Sequence, residues 1–138
     1  MAILMVVMAF ASCEKDSNAK LEGKWRIISV SGYETNSSQQ SETCTINVED
    51  KFNYWEFLED GIFELYYIKE DGDKKYECEG TWTRNGSNVD LKVNGVDVSD
   101  GIKVEGTIKQ LTASKLVFQM KQTHGEYSLT EVYDCKRE

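Results

Sequence analysis

The chain has 138 residues, a length that suits one domain. Lys and Arg number 16 against 24 Asp and Glu, a net charge of -8, which argues against nucleic acid and anionic membrane surfaces as partners, since both select basic patches. Three Trp, seven Tyr and five Phe argue against a disordered acidic chain, and a single His, His124, argues against His-based metal sites and most acid–base catalysis.

Residues 1–12 are almost wholly apolar and uncharged, and the run MAILMVVMAFA is too short to span a bilayer, which needs roughly 20 apolar residues. It has the length of the apolar core of a secretory leader. Phe10-Ala11-Ser12-Cys13 resembles the lipobox of bacterial lipoproteins. That resemblance implies cleavage before Cys13 and lipid on its sulfur and its new amino group. Acyl chains, at about 0.8 kcal/mol per buried CH₂, would hold the product on a membrane. No Lys or Arg precedes Lys15, so the translation start is expected upstream of Met1. The expected organisation is a removed leader at 1–12, a lipidated Cys13 with a polar tether through 20, and one domain at 21–138. A buried N-terminal strand or helix is the competing reading of 1–10.

From Leu21 onward, Asp60-Gly61, Asp71-Gly72, Asn85-Gly86, Asn94-Gly95, Asp100-Gly101 and His124-Gly125 mark hairpin turns. The segments between them alternate apolar and polar residues with period two, the mark of half-buried strands. Eight strands are predicted, at 23–31, 52–59, 62–70, 74–84, 88–94, 102–110, 115–122 and 127–136. The 32–51 connection is long and polar, with a weak strand at 44–48. This pattern predicts an all-β fold, a closed antiparallel barrel or a sandwich.

Gly23-Lys24-Trp25 opens the first strand. Gly-x-Trp followed by a meander of eight strands resembles the lipocalins, and with the lipobox the chain is most similar to lipocalin-like lipoproteins of Gram-negative bacteria. The resemblance covers roughly residues 21–137 and implies an eight-stranded up-and-down barrel. It also implies a floor in which Gly23 lets the backbone bend, Trp25 plugs the closed end, and Lys136 or Arg137 packs on that Trp.

The opposite rim, with the 32–51 loop and the turns at 70–73, 94–101 and 123–126, would then be the ligand mouth. Inward faces would offer Trp55, Phe57, Phe63, Leu65, Tyr67, Tyr76, Trp82, Leu116, Phe118, Met120, Tyr127, Leu129 and Tyr133 as candidate ligand contacts. An eight-stranded barrel either is filled by such side chains or holds one small ligand. Gly80 and Gly106 are the sequence hint of remaining space. Glu131 falls on the inward face and pairs with a cation or a Tyr hydroxyl, meets a polar ligand group, or is turned out by a bulge.

Cys44, Cys78 and Cys135 remain after Cys13. Strand arithmetic favours a Cys44–Cys78 disulfide over the mouth, with Cys135 free; three reduced, buried thiols are the alternative. No nucleophile elbow, phosphate loop or metal motif is present, and no cofactor or metal is expected. His124 reads as a solvated turn residue. The sequence therefore points to a non-enzymatic, membrane-anchored protein of the cell envelope, lipid-anchored to the outer membrane, that binds a small, partly apolar molecule. The rival reading is a filled barrel that docks a protein or envelope glycan through outward residues such as Tyr66 and Ile68. An enzyme at the mouth, using His124 or Glu131, ranks last.

Overall fold

A computed structural model describes residues 19–36, 39–40 and 44–138. The leader, Cys13 and most of the tether lie outside the described residues. The strands are β1 (Gly23–Asn36), β2 (Gln39–Gln40), β3 (Cys44–Asn47), β4 (Asn53–Phe57), β5 (Ile62–Ile68), β6 (Lys74–Asn85), β7 (Asn88–Val93), β8 (Ile102–Leu111), β9 (Lys115–His124) and β10 (Tyr127–Arg137). From β4 to β10 each strand pairs antiparallel with the next, and β1 pairs with both β4 and β10. The eight long strands thus form a closed up-and-down barrel, and closure removes the exposed edges that Val- and Ile-rich strands would present. The Asn-Gly turn between β6 and β7 takes the positive φ that only a glycine tolerates freely (Gly86, φ 64°).

β2 and β3 are short strands that pair with β1 alone. β3 is the weak strand of the 32–51 segment, and its existence follows from a change of partner along β1. Gly23 to Arg26 pair with β4, whereas Ser29 to Gly32 pair with β3. Between β3 and β4 the chain steps aside through a 3₁₀ turn at Glu49–Lys51, and Phe52 takes a left-handed conformation (φ 51°). The second predicted strand is therefore found as β4 and the weak strand as β3, on either side of that turn, while β1 runs on past its predicted end to Asn36.

The floor is built on Trp25, which is fully buried and donates its indole N–H to the Leu21 carbonyl at 2.8 Å. The Arg137 guanidinium lies 4.1 Å from the Trp25 ring and donates to the carbonyls of Ala113, Glu22 and Lys20 at 2.7, 3.0 and 2.8 Å. A side chain at Gly23 (φ 139°) would collide with that guanidinium. Lys136, the other basic residue considered for this role, is instead exposed and ion-pairs with Glu49 at 3.4 Å.

The barrel's middle is filled. The Trp55 ring has Phe57 at 5.6 Å, Phe63 at 5.8 Å, Phe118 at 5.2 Å and Tyr133 at 5.3 Å, in stacked, tilted and edge-on contacts. Gly80 and Gly106 leave no space. An added methyl at Gly106 would meet the Phe118 ring and Val89, and one at Gly80 would meet the Lys92 carbonyl and Phe63. These glycines are small because large neighbours already occupy their side of the wall.

Candidate functional site at the barrel mouth

Filling stops short of the rim. From floor to rim along β10, Cys135 lies opposite Ile27, Tyr133 opposite Val30 and Glu131 opposite Gly32. Beside the Tyr133 layer, and reaching down to Ile27, a cleft of about 220 Å³ remains. Its apolar and aromatic lining is Ile27, Val30, Ile46, Val48, Leu65 and Tyr66, with Tyr133 from β10; its polar lining is Asn53, Glu77 and Glu131. A methyl at Gly32 would stand in ordinary contact with the Glu131 side chain, at 3.6 Å.

Burial and the facing Glu77 carboxylate push the Glu131 carboxyl above its ordinary value, although a hydrogen bond with Tyr133 works the other way. Burial, then Glu131 and Glu77, pushes the Tyr133 hydroxyl up, so it stays protonated and can donate. Burial, with Glu77 and Glu131 nearby, also lifts the Cys78 thiol to about 11.

Glu77 reaches the cleft because of an irregularity in β6. Leu65 pairs with Cys78 but Tyr66 pairs with Tyr76, so Glu77 is the extra residue of a β-bulge. The bulge also corrects one expected contact: Tyr76 is turned to the outer wall and is 46% exposed. There it closes a ladder with Tyr54 and Tyr66, whose rings are 5.5 Å apart, with Tyr76 6.0 Å from Tyr66. Lys74 sits 4.3 Å over the Tyr66 ring, and the Tyr66 hydroxyl donates to Glu56 at 2.8 Å. Tyr66, expected to be exposed, is consequently only 1% exposed although it faces outward. Ile68 is half-buried.

Tyr127 is likewise exposed at the rim rather than inside. Trp55, Phe57, Phe63, Leu116 and Phe118 are sealed in the core, as is Met120 at the next layer. Trp82 is half-buried near the floor, donating to the Leu58 carbonyl at 3.2 Å. Leu65 and Tyr133 line the cleft, whereas Tyr67 lines an open groove outside it, between the 3₁₀ turn and the β5–β6 hairpin. Groove and cleft share Asn53 and Glu77. Val30, Val48, Asn53 and Glu77 are lining residues that alternation alone does not select, because bulges and the β3–β4 break decide their facing; Ile27 follows Trp25 by alternation and was missed.

Cys44 and Cys78 are free thiols, not a disulfide. Cys44 is exposed on β3, opposite Gly32, whereas Cys78 faces inward on β6, opposite Leu65. β4 and β5 separate the two along the wall. Cys135 is buried and free. His124 pairs with Tyr127 in the last hairpin, away from any nucleophile at hydrogen-bond distance among the described residues. No cluster of three His, Cys, Asp or Glu suited to a metal ion occurs among them either.

No curated protein matches the chain. Among solved structures, a deswapped triple mutant of bovine odorant binding protein is similar at 15% identity and a TM-score of 0.47, over 86% of this chain and 74% of that one. The family model for the lipocalin-like domain matches residues 21–118, which run from the plug below Trp25 through β9's Phe118. On that match, and with a closed eight-stranded barrel to carry it, the chain belongs to the lipocalin-like family.

Proposed function

We propose that this protein binds a small, partly apolar molecule at the barrel mouth, without catalysis, while held on the bacterial cell envelope by lipid at Cys13. The observation that carries the reading is the cleft of about 220 Å³ left beside the Tyr133 layer. Its floor is apolar, and burial of apolar ligand surface there is worth about 25 cal/mol per Å². Asn53, Glu77, Glu131 and the Tyr133 hydroxyl supply the few polar groups that orient a ligand. The site is small, so a compact head or a short chain fits inside, and anything longer continues into the groove beside Tyr67.

Anchoring fits the same geometry. Ala19 and Leu21 pack at the floor, and the six residue steps from Cys13 to Ala19 reach at most about 20 Å. The floor would therefore face the membrane and the mouth would face away from it. The docking alternative has less support, because Tyr66, the centre of the outer tyrosine ladder, is already covered by Lys74, Glu56 and neighbouring rings, which leaves Tyr76 as the exposed ring.

Native mass spectrometry of the protein released gently from its own envelope tests the proposal. The expected result is a small-molecule adduct that disappears on denaturation and is missing from a Leu65→Arg variant that still folds. A bare protein mass in every preparation would overturn it.

A further inference from the structure

We infer that the mouth cleft selects amphiphiles with a cationic head, with the ammonium held between Glu77 and Glu131 and the apolar part seated on Tyr133 and Leu65. The inference deepens the proposed function and rests on it. Three observations carry it together.

The first is the layering of the cleft. Tyr133, paired across from Val30, forms an apolar shelf on the Trp55 ring, and Glu131 stands one pairing layer nearer the rim. An amphiphile that entered tail first would bring its head level with Glu131. The second is the β6 bulge, which brings Glu77 from the opposite wall to line the same cleft. Two carboxylates from strands on different sides of the mouth thus bracket one position.

The third is the absence of a compensating cation. Among the described residues no Lys, Arg or His lines the cleft. The nearest cations stand outside the cleft. Lys75 lies 6.0 Å over the Tyr67 ring, Lys69 ion-pairs with Asp71 at 3.4 Å, and Lys51 lines the outer groove, which Glu77 also borders. Glu34 is hydrogen-bonded to Tyr127. Two carboxylates sharing a half-buried space repel each other, and an ammonium between them removes that repulsion while forming charge-assisted hydrogen bonds. A ligand carboxylate would instead be a third negative charge in the same space. A neutral head would gain only ordinary hydrogen bonds from Asn53 and Tyr133.

Calorimetric titration of the purified full chain with octylammonium, 1-octanol and octanoate tests this, because the three probes share a tail. Octylammonium is expected to bind about tenfold or more tighter than octanol, with octanoate weakest. Glu131→Gln and Glu77→Gln should each cut that preference to about threefold or less while leaving octanol affinity nearly unchanged. Asp90→Asn, which removes a charge from the outer wall, should leave the preference intact and so separates local recognition from the overall charge of -8. Equal binding of octylammonium and octanol would overturn the inference but not the cleft. So would a preference that survives both cleft variants. No binding of any probe would overturn the cleft reading itself. Glu77 is exposed, so its variant is expected to fold even where Glu131→Gln does not.

Discussion

Glu131 carries a measurable burden even without ligand. Burial first, and Glu77 second, raise its carboxyl above the ordinary 4.5. A carboxyl raised in this way takes up a proton in the folded protein before it does so in the unfolded chain. Its contribution therefore favours folding at low pH and is lost as pH climbs through the raised value. Glu131→Gln, which keeps an acceptor for the Tyr133 hydroxyl, is expected to be more stable than the parent at about pH 7 and indistinguishable from it at about pH 4. Thermal melts of both proteins across that range check the expectation. A constant difference, or a parent more stable at neutral pH, would mean that the Tyr133 hydrogen bond outweighs burial and repulsion. The same two residues show what single-residue reading can see. Alternation placed Glu131 on the inward face, and it offered a Tyr hydroxyl as a partner. It did not offer Glu77, which a regular strand would have sent outward.

At the scale of elements, β6 explains most of the difference between expectation and structure. Tyr76, Cys78, Gly80 and Trp82 share one face in a regular strand, and nothing in their spacing announces an irregularity. The bulge is decided across strands: with Glu77 squeezed out, Tyr76 stacks beside Tyr66 while Cys78 keeps its place opposite Leu65. A deletion separates the bulge from the register. Removing Glu77 should leave Tyr76 opposite Tyr66 and Cys78 opposite Leu65 in an uninterrupted ladder, and the variant should fold with stability within about 1 kcal/mol of the parent. Removing Glu79 should shift Gly80 away from Phe63, turn the inner face outward and lose several kcal/mol. Urea unfolding of the two deletions, two residues apart on the same strand, distinguishes these outcomes; equal damage would show that the bulge itself is required. The strands, their hairpins and the floor with Trp25 and Arg137 were legible because each depends on local alternation or a short motif. The bulge, the extension of β1 to Asn36 and the outward turn of Tyr76 and Tyr127 were not, because pairing partners far along the chain set them.

Across the whole molecule, order is distributed unevenly around the barrel. β10 pairs along almost its full length with both β1 and β9, and the β8–β9 ladder runs from Ile102 to Leu111. The β7–β8 ladder, by contrast, consists of three pairs, Asn88–Thr107, Val89–Gly106 and Asp90–Glu105. Rimward of these pairs β7 keeps only β6 as a partner and β8 keeps only β9, and the strands diverge into the 94–101 connection. The floor is closed by Trp25 and Arg137, and the core is locked by the rings around Trp55, so opening has little freedom to begin there. It should begin at the β7–β8 seam, where few backbone hydrogen bonds oppose it. Native-state hydrogen exchange is expected to show the amides of 91–93 and 102–104 that face this seam exchanging through local opening, well before those of β9 and β10. Amides on the β10–β1 seam should exchange only with global unfolding. If both seams protected equally, the short ladder would not be the weak point, and widening of the mouth would have to come from the β3–β4 break, the other place where the wall changes partner.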